Sequence, residues 1–376
     1  MTDNLRQEIA DALGTDTDPL AQYDDELQTR LGDDKAFDLF LEDRVYGNGK
    51  KRKTVRSYER VVEQWKMYME RHDRHPACPN KDHIKGFADY CVTERDNSAV
   101  TVKDKLWRFG KIYQFWQNES VLPHPTDYDP VDAAREELNL STATPNTPPE
   151  IPLPKLRGII QDDVTHIRDR AIIVAQLKLG LRASEVCNIE LRDVHIDNSE
   201  LRDHYPDMGT HDRLDGRKDA IYVPPSDDND VGLPGRPGNK SNRPRVLPLD
   251  AEMRRVLLDY LLIRPDVDGR PWLFLSDTNL THLSDDKTVN RIWKKYFHPE
   301  YKFDDDDQHR SVTSHFGRHY FTSHWRVRED APEELVKYMR GDNPAGSHSG
   351  AIKKYIHVYY SDVESLYRDD IFRLNV

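Results

Sequence analysis

Only three cysteines, Cys78, Cys91 and Cys187, occur in 376 residues, and they stand far apart. That spacing excludes both a disulfide framework and the paired pattern of a structural zinc site, and it fits a reducing, cytoplasmic setting. No run approaches the ~18 consecutive apolar residues that a membrane span requires. The opening Met1-Thr2-Asp3-Asn4-Leu5-Arg6-Gln7-Glu8 lacks the basic-then-apolar order of a secretory leader. An overall basic excess is missing too, since the formal net charge is −12. That total at first argues against a nucleic-acid partner.

The charge is unevenly placed, however, and the total conceals this. Residues 1–43 hold 3 Lys/Arg against 13 Asp/Glu, whereas residues 44–125 hold 17 against 10. A module of net charge +7 therefore follows a segment of −10 and precedes a remainder of −9. Acidic surfaces with a mean hydropathy of −0.85 are those of proteins from a very salty cytoplasm. An acidic partner or an inhibitory tail is the other account of that excess. In high salt, DNA binding has to work where counterion release adds little.

A length of 376 residues predicts two domains. Residues 1–30 have weak helical periodicity and read as a loosely ordered acidic arm. From Thr54, a plausible N-cap, Val55, Tyr58, Val61, Val62, Trp65, Tyr68 and Met69 recur at three- and four-residue steps. Further helices are expected near Asp82–Glu94 and Val100–Asn118, giving a bundle over 31–125 whose aromatics form its core. The run Lys50-Lys51-Arg52-Lys53, with Arg56 and Arg60 one and two turns on, is either a solvated face or a seat for a phosphate backbone. Prolines from Pro123 to Pro154 mark 126–152 as a linker, with a short helix at Asp132–Leu138. Residues 153–376 form the second domain. There the expected elements are a helix near Arg170–Leu179, strands at Ala220–Val223, Arg245–Leu247 and Trp272–Leu275, and a helix near Ala251–Ile263. The stretches 197–218 and 225–243 read as long polar loops.

Four segments of the second domain stand out together, although taken singly Arg182 reads equally as an exposed capping ion pair and Lys240 as a solvated lysine. In Gly180-Leu181-Arg182-Ala183-Ser184-Glu185 a glycine ends one helix and an arginine opens the next, with Glu185 one turn on to orient Arg182. Lys240, in Gly238-Asn239-Lys240-Ser241-Asn242-Arg243, precedes an apolar strand and reads as part of a β-hairpin tip. In His315-Phe316-Gly317-Arg318-His319, residues three apart share a helix face, so His315 and Arg318 can address one ligand. Downstream lies Lys353-Lys354-Tyr355-Ile356-His357. The run Asp304-Asp305-Asp306-Asp307 is a solvated loop rather than a metal site, because adjacent carboxylates rarely converge on one ion.

Taken in order, these segments resemble the tyrosine recombinases of the phage integrase family. The resemblance covers about 170–370 and includes the eight-residue step from Lys240 to Pro248 and the wording Arg-His-Tyr-Phe-Thr-Ser-His-Trp over 318–325. It implies a mainly α protein with a small β-sheet. A helical, SAM-like core-binding domain would be joined to a catalytic domain of the DNA breaking-rejoining fold, the two clamping duplex DNA. It further implies a site-specific recombinase in which Tyr355 attacks phosphorus to form a 3′-phosphotyrosyl ester. Arg182 and Arg318 would neutralise the phosphate, with His315 as assisting base, Lys240 as acid for the 5′-oxygen, and neither metal nor ATP nor any other cofactor.

One position departs from the family pattern. Gly341 is followed by Asp342 where histidine or tryptophan is usual, and about four residues are inserted before Tyr355. Either Asp342 holds a neighbouring basic residue or His348 reaches in through the longer loop. The implied partners are duplex DNA with recombination sites on the nucleoid, and further copies of the chain assembling as a tetramer on paired sites, with no membrane. In that picture residues 361–376, with Val363, Leu366, Tyr367 and Ile371 at helical spacing, contact a neighbouring subunit. A DNA-binding protein that kept the fold without the chemistry, and a tyrosine topoisomerase, are the rival readings.

Overall fold

The computed structural model describes residues 10–12, 17–50, 52–138, 140, 147–225, 239–241, 243–267, 269–283, 286–304, 308–342 and 358–376, with Arg52 and Asp286 described in backbone only. The chain divides into two compact units, residues 1–145 and 146–376. Among the described residues no helix is long and apolar enough to cross a membrane.

The first unit is helical, with α1 (Asp24–Arg30), α2 (Gly32–Phe40), α3 (Arg52–Met69), α4 (Lys81–Thr93), α5 (Ala99–Asn118) and α6 (Pro130–Glu137). Asn80 and Ser98 cap α4 and α5 through side-chain oxygens that accept the His83 and Thr101 amides. Helix α3 starts at Arg52, ahead of the expected cap at Thr54. The aromatics are core, as their spacing implies. Trp65 is fully buried, 4.4 Å from Phe109 and 5.2 Å from Phe87 between ring centres, and its indole N–H donates to the Pro76 carbonyl at 2.8 Å.

The acidic segment is not loose over residues 17–30, because Leu20 and Leu27 are buried in the same core as Trp65 and Trp116. Its acids help to fix it: Asp18 pairs with Arg74 at 2.7 Å and Asp24 accepts the His75 amide at 2.6 Å. The first part of the proline-rich stretch is not linker either. Helix α6 begins with Pro130 in its first turn, where the missing N–H costs nothing, and buries Val131 and Ala134 in the bundle.

The second unit is built around α8 (Ile167–Leu179), preceded by α7 (Leu153–Gly158) and followed by α9 (Ala183–Cys187). Residues 171–179 of α8 are all buried, polar ones included. Gln176 accepts the Trp293 indole N–H at 2.6 Å, and Lys178 pairs with Asp250 at 2.6 Å and Glu252 at 2.8 Å. A helix enclosed on every side must satisfy each such group internally. Strands β1 (Val194–His195), β2 (Ala220–Val223) and β3 (Arg245–Pro248) form an antiparallel sheet in the order β1-β2-β3, with Ile221 opposite Leu247. Helix α10 (Ser199–His204) stands inside a stretch expected to be loop. The expected strand at Trp272–Leu275 is only a pair of isolated bridges, from Trp272 to Glu190 and from Leu275 to His282.

Helices α11 (Ala251–Leu261), α12 (Asp286–Tyr301), α13 (His315–Ser323), α14 (Glu333–Arg340) and α15 (Tyr360–Asp370) complete the unit. The C-terminal segment packs on its own unit. Val363, Tyr367 and Leu374 are fully buried, the Tyr367 hydroxyl donates to the Lys178 carbonyl at 2.9 Å, and the Leu374 amide donates to Glu252 at 2.8 Å. Its apolar stripe finds its cover within the chain.

Gly180 ends α8 with φ +62°, and a Cβ there would lie 2.6 Å from the Phe321 ring. Gly180→Ala combines a left-handed backbone with overpacking and should destabilise the unit by about 2–4 kcal/mol. Thermal and urea denaturation would measure the loss; a wild-type midpoint would contradict this account of the turn.

Candidate active site

The turn that Gly180 permits carries Arg182 to the N-cap of α9. Glu185, fully buried one turn later, accepts the Arg182 amide at 2.9 Å and its guanidinium at 3.1 Å. The same carboxylate binds Arg245 of β3 through two nitrogens, at 2.8 and 3.2 Å. Arg245 also donates its Nε to the Met339 carbonyl at the end of α14, 2.8 Å away. Burial works against the charge on Glu185, but Arg245 and then the Arg182 amide and charge hold its carboxyl well below the usual range. One buried anion thus ties together a helix start, a strand and the end of another helix.

Arg318 comes from α13 and is 3% exposed. It donates Nη1 to the Gly180 carbonyl at 2.7 Å, leaving Nη2 to point where Arg182 points. Both guanidiniums reach one atom: Oδ1 of Asp342 accepts Nη2 of Arg182 at 2.7 Å and Nη2 of Arg318 at 2.6 Å. The other oxygen, Oδ2, lies 2.9 Å from Nε of Arg340. Burial first, then the charge of Arg182, presses the Arg318 pKa down, and Asp342 offsets part of that. Two forked cations converging on a single oxygen form a site for a tetrahedral oxyanion.

His315 stands one turn before Arg318 on α13 and is exposed, with its ring 4.9 Å from that of His319. Partial burial of its ring lowers its pKa, and the charges of Arg310, Arg318, Arg182 and Arg340 lower it further, which favours the neutral imidazole. His319, 2.6 Å from Arg310, is pushed down to about 4 by burial and then by Arg310. Lys240 is exposed between two anchored residues in the β2–β3 connection. Asn239 is fully buried and donates to the Pro224 carbonyl at 2.9 Å, while the Ser241 hydroxyl donates to the Gly341 carbonyl at 2.6 Å. The backbone of Lys240 is thereby held close to the turn that bears Asp342.

Of the residues singled out from the sequence, Arg182, Glu185, Arg318 and Asp342 meet directly, and His315 lies on the helix that bears Arg318. Tyr355 and His348 lie outside the described residues, as do Lys51 and Asp305–Asp307. In the first unit Lys50, Lys53, Arg56 and Arg60 are exposed. Arg245, Arg310 and Arg340 belong to the cluster as well, although no motif marks them. Arg245 sits at the head of an apolar strand, where a charge needs a buried partner, and Arg340 adjoins Gly341-Asp342; those placements were the available signals.

The second unit, mainly helical with a small antiparallel sheet, thus brings Arg182 and Arg318 together on Asp342. The family model described as "Phage integrase family" matches residues 152–361, more than half of the chain, and the chain belongs to that family, the tyrosine recombinases. No curated protein matches it. Among solved structures, it is similar to the Tn1549 transposon integrase in complex with a circular intermediate DNA, at 18% identity, TM-score 0.57, and coverage of 87% of this chain and 96% of that one. It is also similar to a lambda integrase tetramer bound to a Holliday junction, at 14% identity, TM-score 0.59, and coverage of 92% and 87%. A lambda integrase dimer bound to a COC′ core site gives 14% identity, TM-score 0.57, and coverage of 89% and 76%.

A base must be neutral to accept a proton, so a lowered pKa moves the acid limb of the reaction to lower pH. With His315 as base, DNA cleavage should be lost on acidification with a midpoint below the ordinary histidine value of ~6.5. Arg310→Ala should move that midpoint upward. A pH–rate profile of single-turnover cleavage checks both; an acid limb that Arg310→Ala leaves in place would remove His315 from this role.

Proposed function

We propose that this protein is a site-specific DNA recombinase that cuts and rejoins duplex DNA through a covalent bond to Tyr355. The convergence of Arg182 and Arg318 on one oxygen atom is the observation that carries the reading. A scissile phosphate presents such an oxygen, and two guanidiniums neutralise the charge that grows there as phosphorus becomes pentacoordinate. His315, neutral beside these cations, assists removal of the proton from the tyrosine hydroxyl. Lys240 protonates the departing 5′-oxygen. The ester bond of phosphotyrosine conserves the energy of the cleaved phosphodiester, so the hydroxyl of a second strand can attack it and reverse the step. The proposed chemistry calls for neither metal nor ATP.

In the same reading, Lys50, Lys51, Arg52, Lys53, Arg56 and Arg60 contact the DNA backbone. Because the similar solved structures include a dimer on a core site and a tetramer on a Holliday junction, this chain is proposed to assemble as a tetramer on paired sites. Its place of action is the nucleoid. A second reading, a DNA-binding protein without the chemistry, is favoured by one observation: Asp342 fills the arginine pair.

A nicked suicide substrate distinguishes the two. Wild-type protein should form a covalent adduct at Tyr355, and Tyr355→Phe should abolish it while leaving DNA affinity within about threefold, since only one hydroxyl is lost. Adduct mapped to Tyr359 or Tyr360 would overturn the assignment, and no adduct from wild type would establish the second reading.

A further inference from the structure

The Asp342 carboxylate occupies the point on which the guanidiniums of the site converge. It meets three guanidiniums, those of Arg182 at 2.7 Å, Arg318 at 2.6 Å and Arg340 at 2.9 Å. Three cations held this close repel one another, and without an anion among them the cluster would spread or lose charge. A second anion cannot simply be added. Two negative groups within about 4 Å of each other in a partly buried site repel strongly at the effective dielectric found there. Carboxylate and phosphate therefore compete for one position.

The local backbone suits an exchange. Gly341 ends α14 in the left-handed conformation at φ +64°, and the Asp342 amide donates to the Lys337 carbonyl at 2.9 Å. These contacts fix the peptide of Asp342 but leave its side chain, 27% exposed, rotatable about Cα–Cβ. Two of the three arginines also have a hold apart from Asp342, Arg182 on Glu185 and Arg318 on the Gly180 carbonyl. Rotation of one short side chain would thus open the cradle to a phosphate whose charge takes over from the carboxylate.

Resting on the recombinase reading, we propose that Asp342 is an internal stand-in for the scissile phosphate. It keeps Arg182, Arg318 and Arg340 assembled in the DNA-free protein and yields its place when the phosphodiester enters. Arg340, absent from the residues singled out in the sequence, then becomes a third phosphate contact. The exchange imposes the same penalty on every DNA. Only a duplex that makes enough other contacts overcomes it, so Asp342 acts as a specificity-determining residue. It also keeps free anions out of the site.

Titration of the full chain with tungstate and with inorganic phosphate, followed by calorimetry at fixed pH and chloride, tests the proposal. Asp342→Asn removes the charge and keeps the shape; it should bind tungstate at least about tenfold more tightly than wild type, one lost competitor's worth. Asp342→Glu should keep the weak wild-type affinity. Adding Arg318→Ala to Asp342→Asn should abolish the gain. A folded Asp342→Asn that binds tungstate no better than wild type, or worse, would overturn the proposal, because Asp342 would then be part of the anion site. Should the neutral variant fail to fold, wild type decides alone. Micromolar tungstate binding that depends on Arg318 contradicts an occupied cradle, and binding weaker than millimolar supports it. None of these titrations uses DNA or Tyr355, so their failure leaves the recombinase reading standing. Failure to form a DNA adduct, conversely, leaves the anion result intact.

Discussion

Glu185 is the contact on which the site depends. A carboxylate with no exposure to water is tolerable only if cations and amides surround it, and Glu185 has Arg245, Arg182 and the Arg182 amide. Removing one partner of such a buried set typically costs about 3–5 kcal/mol, because the charge left behind has nowhere to go. The cluster is therefore an arrangement that is hard to distort. It ties the start of α9 to β3, and through Arg245 and the Met339 carbonyl to the end of α14. Arg182 is aimed by it, and the turn bearing Asp342 is held opposite.

The electrostatics of the second unit run against its composition. Its acids outnumber its bases, yet Arg182, Arg310, Arg318 and Arg340 surround one point, where they depress the pKa of His315 after burial has done so. Local concentration of charge decides here, since interactions fall off with distance and salt while those in a partly buried cluster are screened least. An acidic exterior and a cationic centre are compatible for that reason, and the net charge of −12 says little about the partner.

Much of the fold was legible in the sequence. The three- and four-residue rhythm from Val55 to Met69 marked a helix because one face is buried and the other wet. The strands at 220–223 and 245–248 were legible from short apolar runs. The acidic segment from Asp18 was not, because Leu20 and Leu27 give too few points for a period and its carboxylates bind residues far along the chain. The C-terminal helix showed its apolar stripe plainly, but a stripe does not say what covers it. The motif residues Arg182, Lys240, His315 and Arg318 were recognisable by type and order. Arg245 and Arg340 were not, since their significance lies in partners 60 residues before and two residues after them, and only folding reveals the first.

In the proposed reaction Arg182 and Arg318 jointly neutralise one phosphate oxygen. Its most direct test is the cleavage rate of DNA whose scissile phosphate carries a methyl group in place of a charged oxygen. On an ordinary phosphodiester, Arg318→Ala should slow cleavage about a hundredfold, the scale for losing one preorganised donor to developing charge. On the neutral methylphosphonate, where there is less charge to stabilise, the same substitution should cost less than about tenfold. Equal losses on the two substrates would contradict the account, because Arg318 would then be acting on something other than the phosphate charge.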